Sequence, residues 1–93
     1  MTREKAVDQM RILAHNAKVT ETGNSVLVHV TYWKIEVTIN DTGNLGVYPK
    51  NGGGALCLLP LKSVKSFGHE LSGGIQNLVI RLNNGGLIRI RAL

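Results

Sequence analysis

The sequence predicts an α+β fold that is mainly β: an N-terminal amphipathic helix followed by a six- to seven-stranded antiparallel bent sheet or small barrel. Apolar residues repeat at helical spacing over 3–17, and from residue 18 onwards they alternate with a period of two. The 11 glycines and 2 prolines suit many tight turns between short strands. A chain of 93 residues is the length of one domain. We therefore expect a single domain over 1–93, with the helix at about 3–17 and the β-structure at about 18–93.

The predicted helix has an apolar stripe and a polar start. The stripe consists of Ala6, Val7, Met10, Leu13, Ala14 and Ala17. This is the i, i+3, i+4, i+7 spacing of one helix face. Thr2 suits the N-cap position, and Glu4 suits the first turn. Ile12 lies off the stripe, and we expect the helix to cover one opening or face of the sheet.

After the helix, the period of two predicts a short strand, a turn and one long strand. The short strand is 18–22, the turn follows at 23–24, and residues 25–40 contain no glycine, proline or aspartate. The apolar positions change from even to odd numbers between Tyr32 and Trp33. This change of face requires a bulge, a bend or a tight turn there. Trp33 itself is predicted to lie in the core.

The next hairpin is predicted to close through a three-residue loop at 41–43. This loop length places Ile39 opposite Leu45, with apolar residues paired along the same face. Gly43 then takes the left-handed position of a G1-bulge hairpin. We therefore expect a positive φ at Gly43.

The following segments are less regular. Residues 51–54 contain three consecutive glycines and predict a loop, while 55–59 is predicted as a buried strand that Pro60 ends or marks as an edge. Residues 61–67 suit either a helical turn or a strand. Residues 68–74 are predicted as another loop.

The last hairpin, 77–92, has two candidate registers. A two-residue loop scatters arginines among apolar residues on both faces. A three-residue loop at 84–86 pairs Ile80 with Ile90 and makes one face wholly apolar, so it is the preferred register. In that register Gly86 takes the left-handed position.

Charge is distributed unevenly along the chain. The formal net charge is +5. Residues 1–49 hold five basic and five acidic side chains, whereas residues 50–93 hold six basic side chains and one acidic residue, Glu70. An excess confined to one half of a chain favours an anionic partner.

The second face of the last hairpin is the candidate site. It carries Arg81, Arg89 and Arg91, and in the preferred register Arg81 lies opposite Arg89. Like charges opposed across two strands are destabilising unless an anion relieves them. We therefore predict a polyanion-binding surface for phosphate or carboxylate groups, joined by Lys62 and Lys65. The alternative is an ordinary solvated sheet face.

No catalytic, metal or cofactor motif is found in the sequence. The three histidines have no ligand spacing between them, and neither a G-x-S-x-G elbow nor a phosphate-binding glycine loop is present. Cys57, as the single cysteine, has no disulfide partner within the chain and is interpreted as a small buried hydrophobe. We expect no enzymatic activity, no cofactor and no metal.

The location is predicted from two features. The N-terminus is charged through Arg11, unlike a signal peptide. No apolar run approaches the roughly 18 residues that a membrane span requires. We expect a cytoplasmic protein with no membrane contact.

Two families resemble parts of this pattern. Residues 59–67, which read Leu-Pro-Leu-Lys-Ser-Val-Lys-Ser-Phe, followed by 77–92, are similar to part of a bacterial pleckstrin-homology-like domain. That fold ends in a helix, whereas the helix predicted here comes first. A helix followed by a bent-strand barrel resembles the element order of Sm-like domains, a family that implies RNA binding by oligomeric rings. No functional residue is carried over from either family.

The sequence therefore favours a small, non-enzymatic binding module that contacts nucleic acid or another polyanion through its C-terminal basic face. The alternative is a protein–protein interaction or inhibitor module, of the kind that phages and mobile elements encode. Self-association into a homo-oligomer is compatible with both, because the last strand leaves an uncovered edge. Salt separates the two classes, since polyanion binding weakens steeply with ionic strength.

Overall fold

The computed structural model describes residues 1–13, 28–40 and 42–92. In chain order its elements are α1 (Arg3–Leu13), β1 (Val28–Tyr32), β2 (Ile35–Ile39), β3 (Asn44–Pro49), β4 (Cys57–Pro60), a single 3-10 turn (Leu61–Ser63), β5 (Val64–Ser72), β6 (Ile75–Leu82) and β7 (Leu87–Arg91). The strand and turn predicted at 18–24 and the helix residues predicted at 14–17 lie outside the described residues.

The strands form two antiparallel sheets. The first sheet has the order β1-β2-β3-β4, and the second has the order β5-β6-β7. The mainly β class with one N-terminal helix is confirmed. Over the described parts of the chain the two sheets do not close into a barrel.

Helix α1 begins at its predicted cap and buries the N-terminal part of its predicted stripe. The hydroxyl of Thr2 accepts a hydrogen bond from the backbone N–H of Lys5 at 3.3 Å. Ala6, Val7 and Met10 are buried, and Ile12 is 74% exposed, off the stripe as expected. The helix packs against β5 and β1.

One side chain of α1 also binds the edge of the second sheet. The Oε1 atom of Gln9 accepts a hydrogen bond of 2.8 Å from the backbone N–H of Phe67 in β5. Among the described strands, β5 pairs with β6 alone. The helix thus satisfies a backbone donor that the sheet leaves unpaired.

The change of apolar face at residue 32 is a tight turn. Tyr32 pairs with Ile35, so Trp33 and Lys34 form a two-residue connection between β1 and β2. Trp33 has a φ of 55° and is 57% exposed. Its predicted place in the core was wrong, because a residue in the middle of a two-residue turn belongs to neither face of the hairpin.

The hairpin between β2 and β3 has the predicted register. Ile39 pairs with Leu45, and Gly43 has a φ of 80°. The side-chain oxygen of Asn40 accepts hydrogen bonds of 2.8 Å from the hydroxyl of Thr42 and the backbone N–H of Asn44. The prediction for this turn is confirmed.

Two predictions for the middle of the chain were wrong. The segment 55–59 is not a buried strand: β4 starts at Cys57, pairs only with β3 among the described strands, and leaves Leu58 68% exposed. The segment 68–74 is not a loop, because β5 continues to Ser72 and the chain reverses through a two-residue turn at 73–74. Both residues of that turn are glycines with positive φ, which permits so short a connection.

The ambiguous segment 61–67 contains both of its predicted alternatives. It begins with the 3-10 turn Leu61–Ser63 and continues as the start of β5. A β-bulge follows between Val64 and Ser66. The bulge places Lys65 opposite no residue of β6.

The last hairpin differs from the preferred register by two positions. Ile80 pairs with Ile88 rather than Ile90, and the three-residue loop is 83–85 instead of 84–86. The positive φ, 88°, is found at Gly85, and Gly86 is not among the residues with positive φ. A shift of two positions preserves the side-chain alternation, so the predicted apolar face remains intact.

Contacts of two asparagines stabilise the observed loop. Asn83 donates from its side-chain amide to the carbonyl of Lys62 at 2.7 Å. Asn84 accepts a 2.8 Å hydrogen bond from the N–H of Gly86. Asn84 lies in the loop in both registers, so the contact that distinguishes the loop 83–85 is the bond of Asn83 to Lys62.

The core lies between the two sheets and α1. Its buried members are Ala6, Val7, Met10, Tyr32, Ile35, Val37, Ile39, Leu45, Val47, Leu61, Val64, Phe67, Leu78, Ile80, Ile90 and Ala92. The side chains on the outer face of the second sheet, which points away from this core, form the candidate site.

Candidate anion-binding face of the second sheet

The three predicted arginines lie on the outer face of the second sheet. Strand alternation places Arg81 of β6 on the opposite face from the buried Ile80. It also places Arg89 and Arg91 of β7 on the opposite face from the buried Ile90. All three are exposed. We call Arg81, Arg89 and Arg91 the basic face.

The arginines are staggered across the strands rather than opposed. Arg81 pairs with Leu87, Arg89 with Val79, and Arg91 with Asn77. The predicted opposition of Arg81 and Arg89 was therefore wrong, because the loop is 83–85. The repulsion expected from two directly opposed guanidinium groups does not arise.

Arg81 extends over the backbone of β5. A methyl group at Gly68 would lie only 3.0 Å from Nη1 of Arg81. The absence of a side chain at this position therefore leaves room for the guanidinium group. On the same face Val79, the partner of Gly68 in the sheet, is only 2% exposed.

Arg89 carries the one ion pair found on this face within the described residues. Its Nε atom lies 3.3 Å from Oε2 of Glu70, and the two side chains are 56% and 43% exposed. Such an exposed pair adds little to stability. The pair neutralises Glu70, which is the one acidic residue in 50–93. Arg81 and Arg91 have no ion-pair partner in the described part of the chain.

The structure separates the two predicted lysines. Lys65 lies at the bulge of β5, next to Ser66, which pairs with Arg81. Lys62 lines an open cavity of about 630 Å³ with the start of α1 and the β2–β3 turn. Lys65 therefore adjoins the basic face, whereas Lys62 belongs to the separate cavity.

The face has the chemistry of a binding surface for anions. A guanidinium group offers five N–H donors in a rigid fork that fits phosphate and carboxylate oxygens.

In the described residues no group of three His, Cys, Asp or Glu side chains comes close enough to hold a metal. Partial burial raises the pKa of the Cys57 thiol, which disfavours the nucleophilic thiolate form at neutral pH.

Sequence reasoning missed the exposure of Trp33 at the β1–β2 turn. The signal was present, because the apolar positions change parity between Tyr32 and Trp33. A two-residue turn accounts for that change without any bulge. The two central residues of such a turn extend away from both strands.

Comparison of the chain with family models, with curated proteins and with solved structures finds no match. The pleckstrin-homology-like and Sm-like resemblances therefore remain predictions. Across the described residues, no helix has both the length and the apolar character needed to cross a membrane.

Proposed function

We propose that this chain is a non-enzymatic binding module that holds the phosphate backbone of a nucleic acid on the basic face. One observation carries the proposal: three exposed arginines share the outer face of a three-stranded sheet. Two of these arginines lack an ion-pair partner among the described residues. Arginine clusters of this kind supply the sequence-independent part of nucleic-acid affinity.

A purely structural role accounts for part of this arrangement. The carbon stems of Arg81 and Arg89 border Val79, and long basic side chains often cover apolar surface in this way. Arg91 pairs with the half-buried Asn77 and lies diagonal to Val79. Such packing involves the carbon stems alone, so it is compatible with phosphate binding by the guanidinium groups.

The test is a titration of labelled oligodeoxythymidylate at ~50 mM and ~200 mM salt. Changing Arg81, Arg89 and Arg91 together to glutamine should weaken binding strongly and lower the salt slope by about two, because each single-strand phosphate contact contributes roughly 0.7. The urea midpoint shows whether the variant remains folded. Absence of binding by the unchanged protein at ~50 mM salt contradicts the proposal.

The matched control removes the same charge from α1. Arg3, Lys5 and Arg11 changed to glutamine also lower the net charge by three, but Glu4 and Asp8 already offset this helix. The helix variant should bind much more tightly than the variant of the basic face. Equal weakening by both variants would indicate a response to net charge alone.

A protein partner is the second candidate, favoured by β4, which has no partner on its outer edge among the described strands. Leu56 and Leu58 are 53% and 68% exposed there, and no charged residue lies between Lys50 and Lys62. Charged side chains are a common protection of an edge strand. Sedimentation of the native chain and of Leu58→Lys tests this candidate. An assembly through β4 should persist at high salt in the native chain and should be lost in the variant.

A further inference from the structure

Trp33 combines two features that the stability of the fold does not explain. Its φ of 55° is the only positive φ of a non-glycine residue in the described part of the chain. Bulky side chains are strained in this region of conformational space. The indole is also 57% exposed, so it gains little from burial in return.

The turn that carries Trp33 is held by its neighbours through the main chain. The N–H of Lys34 donates to the carbonyl of Ala92, and the N–H of Lys50 donates to the carbonyl of Lys34, both at 2.8 Å. On the other side Tyr32 is buried in the core. Glycine at position 33 would make the same turn without strain, so neither the turn nor burial accounts for a tryptophan at this position.

These same bonds join the turn to the basic face. Ala92 directly follows Arg91, so its bond to Lys34 puts the turn beside the end of the basic face. Lys34 and Lys50 are exposed. We call Trp33, Lys34 and Lys50 the tryptophan corner. It adds two exposed basic side chains and an exposed aromatic ring beside the end of β7.

We propose that Trp33 is a stacking platform for an unpaired base, and that the ligand of the basic face is therefore a single-stranded nucleic acid. This inference rests on the function proposed above. Single-strand binders combine a basic track for the phosphates with aromatic rings on which bases stack. Bases inside a duplex are stacked on one another and offer no free face to an indole.

The dimensions suit a short single strand. Leu87 lies opposite Arg81 in the sheet. From Leu87 to Arg91 the strand β7 rises roughly 13 Å, at about 3.3 Å per residue. The tryptophan corner lies beyond that end. The track thus accommodates on the order of four nucleotides, the lower end of the site sizes of small β-barrel binders.

A membrane surface fits the tryptophan corner less well. A peripheral membrane anchor presents several apolar side chains together with its basic residues. At the tryptophan corner the indole is flanked by Lys34 and Lys50, and the loop that follows, 51–54, consists of asparagine and glycines. One indole among these residues is suited to stacking on a base rather than to insertion.

Fluorescence of the full chain tests the proposal directly, because Trp33 is its one tryptophan. The chain is titrated with oligodeoxythymidylate, with duplex DNA, with inorganic polyphosphate and with phosphatidylserine vesicles. We expect strong quenching by the single strand and little change with polyphosphate, which has phosphates but no bases. Duplex DNA should quench less than the single strand.

Variants at position 33 give the second readout. Trp33→Gly should be at least as stable as the native chain, because glycine adopts a positive φ without strain. It should bind labelled oligodeoxythymidylate about tenfold more weakly, with polyphosphate binding unchanged. Trp33→Phe should recover part of the loss. Ile12→Ser removes an exposed apolar residue from α1. It is the control that should change neither the binding of oligodeoxythymidylate nor the binding of polyphosphate.

The outcomes separate this inference from the proposed function. Trp33→Gly with native affinity for oligodeoxythymidylate overturns the stacking role and leaves the basic face in place. Absence of binding to every polyanion at low salt overturns the proposed function and this inference with it. A fluorescence response to vesicles alone overturns both in favour of an anionic lipid surface.

Discussion

The side-chain amide of Gln76 donates a hydrogen bond of 2.6 Å to the hydroxyl of Tyr32. Tyr32 ends β1 in the first sheet, and Gln76 belongs to β6 in the second sheet. Both side chains are buried, with exposures of 1% and 9%. This polar contact therefore ties the two sheets together inside an otherwise apolar core.

Changing Tyr32 to phenylalanine should destabilise the chain by about 1–2 kcal/mol, because the buried amide of Gln76 loses its short hydrogen bond. The amide retains only a 3.4 Å contact with Nδ1 of His69. Urea denaturation measures the change. Tyr48→Phe is the control, since the half-buried Tyr48 makes no hydrogen bond of this kind through its hydroxyl within the described residues; equal losses in both variants would contradict the assignment.

Replacing Gly85 by alanine should cost on the order of 1 kcal/mol, because its φ of 88° strains any residue with a Cβ atom. Gly43→Ala, at a φ of 80°, should cost a similar amount. Gly54 is the matched control: it lies in a loop, has no neighbouring atom within 4 Å of an added Cβ, and has no positive φ. Thermal unfolding compares the three, and a neutral Gly85→Ala would contradict the loop 83–85.

Changing Glu70 to glutamine should tighten polyanion binding several-fold. It removes the acidic residue beside the basic face and frees Arg89 from its 3.3 Å ion pair. Stability should change little, since both partners are exposed. Fluorescence anisotropy with labelled oligodeoxythymidylate gives the affinity, and Glu4→Gln on α1 controls for net charge. Weaker binding by Glu70→Gln would exclude the basic face as the contact surface.

The thiol of Cys57 should react slowly with iodoacetamide at neutral pH. Partial burial raises the pKa of this thiol, so the reactive thiolate is scarcer than in an unfolded chain. The rate should rise as the pH rises towards the raised pKa, and unfolding in urea should accelerate the reaction at neutral pH. A native rate equal to the unfolded rate would contradict this expectation.

Side-chain alternation and loop length were readable from the sequence, but the register of the last hairpin was not. The loops 83–85 and 84–86 have the same length and give the same apolar face. What selects the first is the hydrogen bond of Asn83 to the carbonyl of Lys62, 21 residues earlier in the chain. A contact so distant in sequence leaves no local pattern from which to predict it.

The basic face was also predictable from the sequence in one respect and not in another. Its three arginines could be placed on one face from the period of two together with a three-residue loop. The pairing of Arg89 with Glu70 could not, because it joins β7 to β5 across an intervening strand. Predicting the exposure of Trp33 required the choice of a turn rather than a bulge at one position. The apolar character of the side chain, taken alone, favoured a place in the core.

The bond between Gln9 and the backbone of Phe67 has a consequence for the order of folding. These residues are 58 positions apart, whereas β5, β6 and β7 are joined by short local hairpins. Local hairpins close at a smaller entropic cost than distant contacts, so we expect the second sheet to assemble before α1 docks. Until docking, the edge of β5 that lies away from β6 has no partner among the described residues, and refolding at high concentration should divert chains into intermolecular strand pairing at this stage.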